Sequence, residues 1–300
     1  MTDLLTRIKP YKYVLSEAAV VERLRREYPV KLHPQLEHAM LIYEQAGRDA
    51  LTDIFHSYMD IAARAHVPIL IATPTWRANR ERVISSGAPA SINQDAVEFM
   101  RSLFRNGAIY YVMGLMSCKN DCYKPSEALT RETARKFHAW QIKSLVSGGV
   151  DSLLAATLPE VEEACGIALA MQDAGSPGVI SFVINRDGVV LDGTPLPEAI
   201  DRIDSACDLP PLGYMVNCSY PGFFKGDVLP CDINKRIIGF CGNSSSLDHC
   251  DLDNAACVHT DSVEDWGKNL IKLHHDYGIK VLGGCCGTDC RHLNFMVDNL

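Results

Sequence analysis

Three cysteines of this chain could share one chemical task. Val281-Leu282-Gly283-Gly284-Cys285-Cys286-Gly287-Thr288 is an apolar, strand-like run that ends in two glycines and two adjacent thiols. Met215-Val216-Asn217-Cys218-Ser219 puts a third thiol in the same place, at the end of an earlier apolar run, with Tyr220-Pro221 opening the following loop. Three thiolates on one ion leave a fourth position for a substrate, and sulfur ligands suit zinc. A free thiol is mostly protonated at neutral pH, whereas a metal-bound sulfur has lost its proton and is held in place. Such a sulfur could attack an activated methyl group in line, giving a thioether and a neutral leaving group. A zinc-bound water attacking an amide is the other use of such a centre. Taken alone, Cys285-Cys286 reads equally well as a pair of ordinary buried thiols, so the elements that carry the cysteines decide between these readings.

Those elements repeat. Short β-rich apolar runs alternate with amphipathic stretches of helical length, the pattern of parallel strands covered on both faces. Eight strands are expected, at Tyr13–Ser16, Pro68–Ala72, Ile109–Gly114, Ser152–Ala156, Val179–Ile184, Gly213–Asn217, Ile237–Cys241 and Lys280–Gly284. Thr130-Arg131-Glu132 opens a helix that Gly148-Gly149 closes, and Leu158-Pro159-Glu160 precedes another that ends near Gly175. The segment between the first two strands holds two helical stretches and the charged run Arg23 to Arg26, and the Gly-, Pro- and Asp-containing stretch from Tyr220 to Lys235 reads as an active-face loop. Eight such units favour closure into a single (β/α)8 TIM barrel of class α/β over residues 1–300, rather than an open doubly wound sheet. In such barrels chemistry sits at the C-terminal ends of strands, where Cys218, Cys285 and Cys286 all fall.

The bulk numbers narrow the function. A chain of 300 residues, 47% of them hydrophobic, can bury one large core. The formal net charge of -8 argues against a nucleic-acid partner. No apolar run approaches membrane length and the first ten residues carry no signal-peptide pattern, so a cytoplasmic protein with no membrane contact is expected. Twelve cysteines in a chain of this size then point to reduced thiols and metal ligation rather than a disulfide framework. Cys118 and Cys122, with no matching pair, are expected to be structural or reactive thiols, as are Cys231, Cys241, Cys250 and Cys257.

At the cysteine motifs, and over nearly the whole chain, the sequence resembles the homocysteine S-methyltransferase family. The matching pieces include Asn217-Cys218-Ser219, Gly283 to Thr288, Phe137-His138 with Gln141-Ile142, Gly149-Val150-Asp151, Leu153-Leu154-Ala155 with Thr157 and Pro159, Ser181-Phe182, and Asp192-Gly193-Thr194-Pro195-Leu196. The resemblance implies a barrel, a zinc ion held by Cys218, Cys285 and Cys286, and methyl transfer to the sulfur of homocysteine, giving methionine. Thr73-Pro74-Thr75-Trp76-Arg77-Ala78-Asn79 is similar to the family's second-strand motif, which makes Trp76 a pocket candidate. Glu17 matches the acidic position of the turn after strand one, although the chain reads Ser16-Glu17-Ala18-Ala19 where the family has Asp-Gly-Gly or Asp-Gly-Ala. Ala156 stands where the family has glutamate, and Gly114 to Asn120 replaces the family's Gly-Pro turn.

Substrate-binding candidates are therefore Glu17, Trp76 and Asn217. Asn217 could bond the substrate or hold the loop before Cys218, Trp76 could be pocket wall or core, and His138 reads as helix structure. The expected partners are a small-molecule thiol and a methyl donor: S-methylmethionine, S-adenosylmethionine, a betaine-like compound or a methylated corrinoid protein. Alternative readings are methylation of another small thiol, motivated by Ala156, and a non-catalytic zinc- or thiol-binding regulatory barrel; competition between thiols and a test for turnover separate them. A monomer or small homo-oligomer fits the sequence.

Overall fold

The computed structural model describes residues 3–248 and 260–300. Cys250 and Cys257 lie outside the described residues. Eight parallel strands close into a barrel in chain order: β1 (Val14–Ser16), β2 (Ile69–Ala72), β3 (Tyr110–Met116), β4 (Ser152–Leu158), β5 (Val179–Phe182), β6 (Gly213–Ser219), β7 (Ile237–Gly242) and β8 (Val281–Gly284). Closure is made by β1 against β8, with Val14 opposite Val281 and Leu15 opposite Leu282.

Side-chain alternation divides the core into two layers. Val14, Leu70, Ala72, Tyr111, Met113, Met215, Cys241 and Val281 point into the barrel, whereas Leu15, Ile69, Ile71, Val112, Val216, Phe240 and Leu282 pack outward. The outer layer is covered by helices such as Gln45–Arg64, Arg131–Gly148, Val161–Asp173 and Val263–Tyr277. Helix Arg131–Gly148 ends at Gly149, whose left-handed φ of 85° a glycine adopts without a Cβ penalty. Glu160 caps helix Val161–Asp173 by accepting from the Glu163 N–H.

All eight expected strands are present, with shifted ends. β4 and β6 run two residues further than their apolar stretches, because each continues past a register shift, between Ala155 and Leu158 and between Asn217 and Ser219. β5 stops at Phe182, two residues early. The stretch from Tyr220 to Lys235 is not loop throughout: it contains two short 3-10 turns and the start of helix Cys231–Arg236. An unexpected helix, Leu4–Ile8, precedes β1 and closes the barrel from below, its Leu4 and Ile8 joining the inner layer.

Candidate active site

The C-terminal ends of β6 and β8 bring the three cysteines together. The Sγ atoms of Cys218, Cys285 and Cys286 all lie within 4.8 Å of one another, and Cys218 Sγ stands 2.7 Å from Cys285 Sγ. Cys218 is buried, Cys285 half-buried and Cys286 exposed. Hydrogen bonding from Cys285 and Cys286 pulls the Cys218 thiol below its ordinary range, and hydrogen bonding within the trio pushes Cys285 up.

Local structure explains the convergence. Gly283 must be small: a Cβ there would lie 2.6 Å from Ser16 Cβ, so glycine lets β8 close on β1 just before the thiols. The cysteine turn is then pinned to the end of β7. The Cys285 N–H donates to Gly242 O at 2.8 Å, the Cys286 N–H to Asn243 Oδ1 at 3.1 Å, and the Ser244 N–H to Cys286 O at 3.0 Å. On β6, Cys218 has φ 51°, a left-handed conformation that costs a non-glycine residue about 1–2 kcal/mol. Thr157 at the end of β4 shares it, with φ 56°.

Asn217 turns out to hold structure. Its Oδ1 accepts from the Thr157 N–H at 2.8 Å and from Ser181 Oγ at 2.7 Å, while its Nδ2 donates to Thr157 Oγ1 at 2.7 Å. The amide thus ties β4, β5 and β6 together one residue before Cys218. Thr157 and Ser181, which the sequence marks only as family-like, line the cavity beside the cysteines.

The sulfurs open onto a cavity of about 530 Å³ inside the barrel mouth. Its walls are largely apolar, and Leu70, Met113, Leu154, Ala156 and Met215 line it together with Trp76 and Tyr123. Trp76 is half-buried, and the Arg77 guanidinium lies 4.5 Å over its ring. Glu17 also faces the cavity. Its Oε2 accepts from the Ala72 N–H at 2.7 Å, and burial pushes its carboxyl up to about 8 against the smaller pull of that bond. Glu17, Trp76, Asn217 and the three cysteines therefore all line one cavity, with Ala156 leaving an apolar surface among them.

The loop after β3 is fastened over this cavity by a group the sequence did not single out. Glu163, fully buried in helix Val161–Asp173, accepts from the N–H of Lys119 at 2.8 Å and of Leu129 at 2.9 Å, and pairs with His138 Nε2 at 2.9 Å. Burial would raise its carboxyl, but His138 and the two N–H groups outweigh that and hold it below its ordinary value. His138 is thus structural, as expected. Cys118 and Cys122 on the same loop are buried thiols that burial pushes up to about 12, which makes them poor nucleophiles.

The three sulfurs fit a metal: they are soft donors from two strand ends, close enough for one ion, with the cavity on the remaining side. No helix among the described residues is long and apolar enough to cross a membrane.

Comparison with known proteins agrees with the geometry. The family model described as homocysteine S-methyltransferase matches residues 14–300. Homocysteine S-methyltransferase 2 of Arabidopsis thaliana is 29% identical over 168 residues, 54% of this chain and 49% of that protein. Selenocysteine Se-methyltransferase of Brassica oleracea var. italica is 30% identical over 168 residues, 54% of this chain and 47% of that protein. The chain thus spans about half the length of these curated relatives. Among solved structures, the metallated form of the homocysteine methyltransferase MmuM from Escherichia coli superposes with a TM-score of 0.76 at 16% identity, covering 99% of both chains, which shows the shared barrel fold. With a model that matches nearly its whole length, this chain is a member of the homocysteine S-methyltransferase family.

Proposed function

We propose that this chain is a zinc-dependent S-methyltransferase that moves a methyl group from a small donor to the sulfur of a thiol, with homocysteine as the acceptor and methionine as the product. The observation that carries this reading is the convergence of Cys218, Cys285 and Cys286 at the mouth of a substrate-sized cavity. Cys218, Cys285 and Cys286 would hold the ion. Zinc held there would lower the pKa of an acceptor thiol in the open position, so that the thiol would lose its proton to solvent and stay as an electron-rich thiolate. The acceptor sulfur then forms a bond to the donor's methyl carbon as the bond from that carbon to the donor breaks, the electron pair leaving with the donor. The chain's own residues supply position and dryness: apolar walls, Trp76 and Tyr123 among them, exclude water, and Glu17 offers the acceptor one carboxyl. The names of the relatives support homocysteine as the acceptor, and S-methylmethionine, S-adenosylmethionine, a betaine and a methylated corrinoid protein are the donors to compare.

The test is methionine formation by metal-stripped protein before and after zinc is restored, with homocysteine and each donor in turn. Product that depends on zinc supports the reading. A zinc-loaded protein that binds homocysteine and turns over with none of the donors would make it a thiol-binding barrel instead.

A further inference from the structure

The residues around Cys218 form a hydrogen-bond chain with only one possible polarity. A backbone N–H can only donate, so the Thr157 N–H, 2.8 Å from the Asn217 amide, fixes Oδ1 on that side and Nδ2 on the other. Nδ2 can only donate in turn, so Thr157 Oγ1, at 2.7 Å, receives that bond and keeps its own proton for another acceptor. The acceptor within reach is Cys218 Sγ at 3.7 Å. At the outer end, the Ser181 hydroxyl donates to Asn217 Oδ1 at 2.7 Å. The Thr157 N–H bond orients the amide, and the side-chain bonds then run toward the sulfur, from Ser181 through Asn217 and Thr157 to Cys218. All four residues are buried in the wall of the cavity. The two residues at the inner end, Thr157 and Cys218, both hold left-handed backbones that side chains of their type rarely adopt. Strained positions persist where surrounding structure fixes them, and the Asn217 amide bonds both the N–H and the hydroxyl of Thr157.

We propose that Thr157 is a positioning residue for the metal ligand Cys218, its hydroxyl proton aimed at the sulfur and its direction set by Asn217 and Ser181. The inference rests on the reading of Cys218 as a zinc ligand. Donation to a ligating thiolate draws charge off the sulfur and fixes the direction of its lone pairs. The fixed lone-pair direction would preorganise Cys218 for the ion, and the charge drawn off the sulfur would leave that ion a stronger Lewis acid toward an acceptor thiol.

Thr157→Val tests this, because valine is isosteric and β-branched, bears the same backbone strain and lacks only the hydroxyl; Thr157→Ser restores it. The protein is loaded with Co(II) for the thiolate-to-metal charge-transfer band, and its zinc affinity is measured against a chromophoric chelator. In Thr157→Val the band moves to lower energy and zinc affinity drops by about 10–100-fold, the usual effect of losing an outer-shell partner, while Thr157→Ser returns both toward the parent. A parent that binds metal, with a folded Thr157→Val variant matching it in band and affinity, overturns the inference alone. A parent that binds neither metal overturns the zinc reading and this inference with it. Should Thr157→Val fail to fold, Ser181→Ala removes the outermost donor; a smaller shift in the same direction supports the chain of bonds, and none overturns it.

Discussion

The two ends of the barrel handle buried charge in opposite ways. At the N-terminal end, Asp151 is satisfied on every side: Arg7 approaches one carboxylate oxygen at 2.6 Å, Arg101 the other at 2.8 Å, and the Val112 N–H donates at 2.7 Å. The Arg7 guanidinium also lies 4.2 Å over the Tyr111 ring, and helix Leu4–Ile8 fills the opening with apolar side chains. At the C-terminal end, Glu17 has one N–H and no ion pair among the described residues, and three thiols crowd within 4.8 Å. Complete pairing closes the lower end, whereas the upper end gathers Glu17 and the three thiols around one cavity, where the proposed acceptor and ion would sit.

The sharpest way to break this contrast is at the sulfurs. Cys218→Ala or Cys286→Ala should remove stoichiometric zinc and, with it, methyl transfer, while thermal unfolding of the metal-free proteins stays close to that of the metal-free parent. Metal analysis and calorimetry check both parts. The lower end should answer in the other currency: Ile8→Ala, at a fully buried site, should cost about 2–4 kcal/mol in denaturant unfolding and leave zinc content unchanged.

Smaller effects come from pH. Burial would raise the Asp151 carboxyl, but Arg101, the Val112 N–H and Arg7 together hold it below 3.8. The unfolded chain then binds the proton first, so the stability Asp151 contributes is complete above its unfolded value and is lost as pH falls through 3.8 toward the lower folded value. Asp151→Asn should therefore be less stable than the parent at neutral pH, with the gap narrowing in acid. Glu17 works in the opposite direction. Its folded value near 8 lies above the ordinary 4.5, so the native state holds the proton longer and the parent loses stability as pH rises between them. Glu17→Gln should gain on the parent from pH 4.5 to 8 and level off above, as read by unfolding midpoints across that range.

The barrel was largely legible in the sequence because it rests on local patterns. Inward and outward positions alternate along β2, β3 and β6 as their apolar runs suggest, and glycines mark where helix Arg131–Gly148 stops and where β8 closes on β1. The meeting of Cys218 with Cys285 and Cys286 followed from their common place at strand ends. What escaped depends on tertiary bonds that oppose local preference. No propensity puts Thr157 or Cys218 in a left-handed conformation, and the bonds from the Asn217 amide to Thr157 and Ser181 form only when three strands come together. Glu163 looks like an ordinary first-turn helix acid, and its grip on Lys119 and Leu129 shows only once the β3 loop is laid over it. Helix Leu4–Ile8 is too short for periodicity to reveal.

The most direct test of the central claim is zinc-edge X-ray absorption of the reduced, zinc-loaded protein with and without homocysteine. Three sulfur ligands from the protein, rising to four when homocysteine is added, is the result expected if Cys218, Cys285 and Cys286 hold an ion that takes the acceptor thiol. Failure to bind zinc under metal-replete conditions, or a sulfur count unmoved by homocysteine, would contradict it.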